Sequence, residues 1–111
     1  MKYRIIKNSK IPKMLSIFID IYAITLYPFI IFKDEGNEVV VNHEKIHLEQ
    51  QKELFLIGFY LLYVWYWLFN KVKGFSNEAA YRLIPFEKEA YENEEDFDYL
   101  NNRKKFAWKE Y

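Results

Sequence analysis

The chain has 111 residues, a length that suits one domain built around a single hydrophobic core, residues 1–111. It contains no cysteine, which excludes disulfide bonds, thiolate metal ligands and a cysteine nucleophile. The 16 Lys and Arg residues balance 16 Asp and Glu residues, so we expect no nucleic acid partner. Any metal ion must therefore be bound by His and carboxylate side chains.

The first apolar segment covers residues 14–32. Its β-branched and aromatic residues favour strands, while Asp20 and Pro28 count against a membrane span. We expect one or two strands here, in a short N-terminal sheet. The basic residues from Lys2 to Lys13 suit either a solvated surface or contact with anionic lipid headgroups. No small-residue cleavage site follows the apolar segment, so a cleavable signal peptide is not expected.

A polar turn precedes the central helix. Within it, Gly36 can adopt a positive φ and Asn37 can cap a helix. Apolar residues then recur at helical spacing from Ile46 to Leu61. The sequence therefore predicts one long helix that begins just after Asn37 and becomes apolar on every side over Leu54 to Phe69.

The segment Leu54 to Phe69 has 16 residues and no charge. At about 1.5 Å per residue it extends roughly 24 Å, less than the ~30 Å hydrocarbon core of a bilayer. A helix that is apolar on every side must be covered by protein, by lipid or by another subunit. Lipid contact, a core helix and an oligomer interface all remain open, and so do a membrane-associated and a cytoplasmic location.

A second helix is expected to begin near Pro85. Proline suits the first turn of a helix, and the helix dipole favours acids such as Glu87 and Glu89 there. The stretch Asn70 to Gly74 before it has the cations and the glycine typical of a helix end. The new helix continues or restarts through Tyr99 to Trp108.

The motif that indicates chemistry is His43-Glu44-Lys45-Ile46-His47, an H-E-x-x-H pattern that contains both histidines of the chain. Two histidines four residues apart on a helix point the same way and can bind one Zn²⁺, while the adjacent glutamate reaches the metal's water ligand. A solvated helix face is the alternative interpretation. A catalytic zinc ion needs a third protein ligand, which must be a carboxylate in this chain.

H-E-x-x-H followed by E-x-E-A on a later helix resembles the gluzincin group of zinc metallopeptidases, and the chain is similar to small bacterial proteins of a minimal zincin type. The resemblance implies an α+β fold with a short N-terminal sheet, a long active-site helix with an apolar C-terminal half and a C-terminal helix that bears the third ligand. It implies His43 and His47 as zinc ligands, Glu44 as general base and Glu87 as third ligand, with Glu89 as the alternative.

The function implied is zinc-dependent hydrolysis of peptide bonds in a peptide or protein substrate. The alternative is a small membrane-associated interaction protein whose zinc site is structural or inactive. Catalysis also requires a group that stabilises the developing oxyanion. Since no histidine remains, Tyr27, Tyr81 or Tyr91 would have to serve, and the sequence does not choose among them.

The roles of the residues around the two motifs are predicted less specifically. The segment Ile24 to Phe32 occupies the place of the zincin strand that pairs with extended substrate. The family often has Asp or Asn after the alanine of the second helix to brace a ligand histidine, whereas this chain has Tyr91; Asn93 could brace if Glu89 were the ligand. Gln50 and Gln51 are interpreted as supporting or surface residues, with the surface favoured.

Overall fold

The computed structural model describes residues 3–14 and 23–111. Within these residues the chain is α+β, with a small sheet near the N-terminus followed mainly by helices, so the predicted fold class is confirmed. The strands are β1 (Arg4–Ile6), β2 (Ala23–Leu26) and β3 (Phe29–Phe32). The helices are α1 (Ile11–Met14), α2 (Glu38–Glu53), α3 (Ile57–Val72), α4 (Asn77–Arg82), α5 (Pro85–Asn93), α6 (Tyr99–Asn102) and a terminal 3-10 helix (Ala107–Glu110).

The sheet has the strand order β1-β3-β2, with β1 parallel and β2 antiparallel to the central β3. Two strands therefore occupy the second half of the predicted strand segment, and Pro28 lies in the turn between them. Met14 belongs to α1, and residues 15–22 of that segment, including Asp20, lie outside the described residues. Ile30 and Phe32 of β3 are buried against Leu48 of α2, so the central strand fixes α2 across the sheet.

The start of α2 follows the local sequence as predicted. The Asn37 side chain accepts a hydrogen bond from the Val40 backbone N–H at 3.0 Å, which satisfies one of the free donors of the first turn. Gly36 has φ +74°, and a Cβ there would lie 2.9 Å from the Phe32 ring. Because both the φ angle and the space exclude a side chain, glycine is required at this turn.

The prediction of one long helix is wrong. The helix ends at Glu53, Phe55 and Leu56 take φ angles of +54° and +64°, and α3 leaves at a bend of 111°. The bend turns one side of the apolar segment back onto the protein, where Phe59 packs on Phe86 with ring centroids 4.6 Å apart. A straight helix would have left that side in solvent, so tertiary packing overrides local helix propensity here.

Among the described residues, no single helix is both long and apolar enough to cross a membrane; α2 and α3 meet that criterion only as a pair, across their bend. The other helix ends follow the sequence more closely. Helix α3 ends at Val72 before Gly74, which has φ +98°, and α5 begins at Pro85 as predicted. The helix expected over Tyr99 to Trp108 is instead split into α6 and the 3-10 helix.

Arg103 connects this C-terminal segment to the rest of the molecule. Its buried guanidinium donates from Nε to Glu89 on α5 at 2.5 Å. Its two terminal nitrogens donate to both carboxylate oxygens of Glu53, the last residue of α2, at 2.9 and 3.1 Å. Two carboxylates from different helices, Glu89 buried and Glu53 partly buried, thus share one cation, which offsets the cost of removing their charges from water.

We expect Arg103→Leu to lower the free energy of unfolding by about 3–5 kcal/mol, because the buried Glu89 and the partly buried Glu53 would lose their shared cation. Urea unfolding measures the loss, and Lys104→Leu at the exposed neighbouring position is the control, with an effect within about 0.5 kcal/mol. An equal loss in both variants would contradict the assignment.

The loss should also depend on pH. Burial alone raises the pKa of Glu89, but hydrogen bonds from Arg103, Tyr99 and Gln50 outweigh it, and the net pKa is lowered. A carboxylate with a lowered pKa stabilises the fold above its unfolded pKa, about 4.3, and loses that contribution as the pH falls through the folded value. The difference between wild type and Arg103→Leu should therefore shrink as the pH is lowered below about 4.3.

Candidate metal centre

Helices α2 and α5 bring two histidines and one glutamate together in the interior. His43 Nε2 and His47 Nε2 lie 3.2 Å apart, and each lies 3.1 Å from Glu87 Oε1. All three side chains are buried. A tetrahedral ion with ligand atoms at about 2.0–2.1 Å separates them by about 3.3–3.4 Å, close to the spacing found here. This group could hold a metal ion.

The partner of His43 fixes which ring nitrogen carries its proton. His43 Nδ1 lies 2.9 Å from Glu94 Oε1. An ionised carboxylate only accepts hydrogen bonds, so Nδ1 must carry the hydrogen and donate it. In the neutral ring the Nε2 lone pair then points at His47 and Glu87, as a metal ligand requires.

The same conclusion holds for His47 by a different route. Its Nδ1 lies 2.7 Å from Gln50 Oε1. The orientation of the Gln50 amide is fixed, because its Nε2 donates to the Phe86 carbonyl at 3.1 Å and to Glu89 Oε1 at 2.9 Å. The amide oxygen therefore faces His47 and accepts from Nδ1. The lone pair of His47 Nε2 is then directed at His43 and Glu87, toward the same point as the lone pair of His43 Nε2.

Neutral histidines would thus place two nitrogen lone pairs and a carboxylate oxygen around one buried point. Such an arrangement attracts positive charge. Burial opposes the charged form of His43, but hydrogen bonds with Glu87 and Glu94 raise its pKa to about 10. Burial likewise opposes ionisation of Glu87, yet the His47 charge and the His43 hydrogen bond lower its pKa. A proton or a cation stabilises this group, and a divalent cation satisfies all three atoms together.

Glu87 is held by contacts on both sides. Its Oε2 accepts a hydrogen bond from the Tyr63 hydroxyl of α3 at 2.7 Å, while Oε1 faces the histidines. Burial and the Glu87 charge raise the pKa of Tyr63, so this hydroxyl remains a donor. Ala90, one turn after Glu87, is fully buried, and α5 packs against α2. The small residue suits this close packing of the two helices, as the sequence predicted.

Glu44 lies in the same interior region. Its Oε2 accepts a hydrogen bond from the Thr25 hydroxyl of β2, and among the described residues no hydrogen bond reaches its other oxygen. Glu44, His43, His47 and Glu87 all line one cavity of about 370 Å³. One side chain from the sheet therefore orients the glutamate of the motif next to the three candidate ligands.

Four tyrosines also line this cavity: Tyr60, Tyr63, Tyr81 and Tyr91. The hydroxyls of Tyr81 and Tyr91 are 2.9 Å apart, and the Tyr91 ring contacts the His43 ring edge-on at a centroid distance of 4.5 Å. Tyr27 lies in the β2–β3 turn and is not among the residues that line the cavity. Two of the three tyrosines considered from the sequence are thus beside the candidate ligands.

The residues around the candidate ligands are those whose observed roles differ most from the roles predicted from the sequence. Glu89 does not join the histidines but binds Arg103, and Asn93 donates to the Glu89 carbonyl and to Tyr111 instead of bracing a ligand. The surface interpretation of Gln50 and Gln51 is wrong, since both are buried. The spacing from His47 to Gln50 was the available indication, because residues three apart lie on one face of a helix.

Glu94, one helical turn after Tyr91, is the residue that braces the ligand histidine His43, a role that Tyr91 does not fill. Asn42, immediately before the motif, sets its position. The Asn42 side-chain amide donates to the carbonyls of Asn93, Glu94 and Asp96 at 2.8–3.3 Å, which holds the turn after α5 against α2. The pairing of Glu94 with His43 therefore depends on a turn that is 51 residues away in sequence.

Fold and site together define an α+β protein with a buried His–His–Glu group that could hold a metal ion. Comparison of the chain with protein-family models, with curated proteins and with solved structures finds no match.

We expect Glu94→Gln to weaken the affinity for a divalent metal ion by about 10- to 100-fold, because the His43 ring loses the carboxylate that orients it and increases its basicity. Competition with a chromophoric chelator measures the affinity. Glu95→Gln removes the same charge at the exposed neighbouring residue and should leave the affinity unchanged. Equal effects of the two substitutions would show that only net charge matters.

Proposed function

We propose that the protein is a zinc-dependent metallopeptidase of gluzincin type, in which His43, His47 and Glu87 bind the metal. The observation that supports this most strongly is the convergence of two histidine lone pairs and one carboxylate oxygen in a cavity that also holds Glu44. The order of these residues, H-E-x-x-H on one helix and the glutamate on a later one, agrees with the resemblance drawn from the sequence.

The donor set favours zinc among the common metals. Two imidazoles and one carboxylate suit Zn²⁺, whereas Mg²⁺ and Ca²⁺ prefer oxygen ligands alone. Three protein ligands leave the fourth tetrahedral position for water or substrate, which is the arrangement of catalytic zinc sites. Zinc bound here would lower the pKa of a water molecule and polarise the carbonyl of the substrate.

Glu44 is proposed to act as the general base and then the general acid. Its carboxylate would accept a proton from the attacking water and deliver it to the nitrogen of the leaving amine. The hydrogen bond from Thr25 fixes one carboxylate oxygen and leaves the other for this transfer. Burial in the cavity limits competition from bulk water.

The Tyr81–Tyr91 pair is proposed to stabilise the oxyanion. In a pair of hydroxyls one donates to the other, so one O–H remains for a third partner. Burial raises the pKa of both tyrosines, which keeps them protonated donors. Arg82 lies over the Tyr91 ring at 3.9 Å and adds positive charge on this side of the cavity.

A shorter part of β2 is free to pair with a peptide substrate than the sequence suggested. The Gln51 amide donates to the Thr25 carbonyl at 2.8 Å and accepts from the Tyr27 N–H at 2.9 Å, so it occupies these backbone groups as a neighbouring strand would. The Tyr60 hydroxyl also donates to the Thr25 carbonyl. We therefore propose that a peptide enters beside Ala23 and Ile24, which line the cavity.

The test is cleavage of a complex peptide library by the zinc-loaded protein, with new termini identified by mass spectrometry. Cleavage should cease after dialysis against 1,10-phenanthroline and return when zinc is restored, because the activated water depends on the metal. A protein that retains about one zinc ion per chain yet produces no new termini would contradict the peptidase proposal and favour a structural zinc site.

A further inference from the structure

Helix α3 has an outer face that the described part of the chain, residues 3–14 and 23–111, does not cover. Its residues follow helical spacing, are all apolar and are largely exposed: Ile57, Leu61, Val64, Trp65, Leu68 and Val72. Leu61 is 69% exposed and Trp65 60% exposed, and Phe55 in the bend before the helix is 89% exposed. Such a continuous run of large apolar side chains is uncommon on a water-facing surface and marks an interaction site.

The opposite side of α3 faces the protein interior. Phe59 belongs to the core cluster, and Tyr60 and Tyr63 line the cavity that contains the candidate metal ligands. The internal packing of the helix therefore does not use the outer face. Leu61 and Trp65 contribute little to the core, and their apolar character needs another explanation.

The charged residues within α3 and directly after it have one sign. Between Glu53 and Glu78 the sequence has no acid, while Lys71 and Lys73 follow the apolar run. The Lys73 ammonium group lies over the Phe69 ring at 4.5 Å, beside the outer face. A second copy of this face would bring lysines and no acids, so it could not neutralise these charges. A surface of anionic lipid headgroups would.

We propose that the outer face of α3 binds the surface of a bilayer that contains anionic lipids, with the helix lying in the plane of the interface. The helix has 16 residues and is about 24 Å long, so it does not reach across the ~30 Å hydrocarbon core. Its other side is packed against protein, which excludes burial on all sides in lipid. The apolar side chains enter the acyl region, and the lysines contact the headgroups.

This inference stands apart from the peptidase proposal, but it has a consequence for it. Because the outer face and the cavity wall belong to one helix, lipid binding would hold the cavity within about one helix diameter, ~10 Å, of the membrane surface. If the proposed function is correct, the substrates are polypeptide segments at that surface.

The experiment is co-sedimentation of the full chain with vesicles of phosphatidylcholine and phosphatidylglycerol in equal parts. Wild type should sediment with them, and Leu61→Ser/Trp65→Ser should bind at least about tenfold more weakly because it loses buried apolar area. Phe97→Ser is the matched control: Phe97 is 57% exposed but belongs to the turn between α5 and α6, and its replacement should not alter binding. Lys71→Gln/Lys73→Gln should weaken binding to these anionic vesicles about fivefold per lysine. It should not alter binding to vesicles of phosphatidylcholine alone.

Three results would overturn the inference. One is wild type that stays in the supernatant with anionic vesicles, and another is a Leu61→Ser/Trp65→Ser variant that binds as wild type does. The third is wild type that forms a dimer by light scattering and ignores vesicles, while the variant is a monomer, which would make a second copy the partner. If the variant misfolds, bromine-labelled lipids provide the test on wild type, since exposed Trp65 should be quenched on vesicle binding.

Discussion

Glu44→Gln is expected to keep about one zinc ion per chain and to lower the rate of peptide cleavage by about 10²- to 10⁴-fold. The amide has the shape of the carboxylate and can still accept the Thr25 hydrogen bond, so the cavity should be preserved. It cannot take up a proton at neutral pH, and the attacking water would then lack its base. Single-turnover cleavage of a peptide found in the library screen, together with metal analysis, measures both quantities.

The control for this prediction is Glu49→Gln, on the same helix. Glu49 pairs with Lys52 at 3.5 Å on the surface and does not line the cavity. Its substitution should change neither zinc content nor cleavage rate. If Glu44→Gln cleaves as fast as wild type, Glu44 is not the base and the proposed mechanism is wrong, even if zinc is bound.

His47→Ala is expected to weaken zinc binding by more than the 10- to 100-fold predicted for Glu94→Gln, because it removes a ligand and not its support. Thermal unfolding with and without zinc provides the measurement. A ligand that binds only the folded state stabilises it by about 2.7 kcal/mol when its free concentration is 100 times Kd. Wild type should show a stabilisation of this order, and His47→Ala should show less than about 0.4 kcal/mol at the same zinc concentration.

Lys45→Ala is the control for His47→Ala. Lys45 lies between the two histidines in sequence, but its ammonium group is over the Tyr3 ring at 4.8 Å and does not line the cavity. Zinc should stabilise this variant as it stabilises wild type. Stabilisation of His47→Ala by zinc to the same extent would place the metal elsewhere.

The parts of the fold that the sequence predicts well are those decided by neighbouring residues. Asn37 and Gly36 set the start of α2 through a side-chain cap and a positive φ, and Pro85 sets the start of α5. The bend at Phe55 and Leu56 could not be predicted in this way, because neither residue type favours a positive φ. It depends on packing of Phe59 against Phe86, a contact between segments that are distant in sequence.

The residues of the candidate site fall into the same two groups, those predicted from local sequence and those set by long-range contacts. The pairing of His43 and His47 follows from spacing on one helix, and Glu87 was suggested by a second motif. Their supports were missed because Glu94 reaches His43 only through the turn that Asn42 holds. Long-range contacts of this kind leave no periodic pattern in the sequence.

The central claim is that His43, His47 and Glu87 bind one zinc ion. Zinc-edge X-ray absorption of the protein after equilibrium dialysis against zinc tests it most directly. The account predicts about one zinc ion per chain, with nitrogen and oxygen ligands at about 2.0–2.1 Å and the outer scattering of two imidazole rings. A protein that emerges without zinc, or with zinc whose spectrum lacks imidazole scattering, would contradict it.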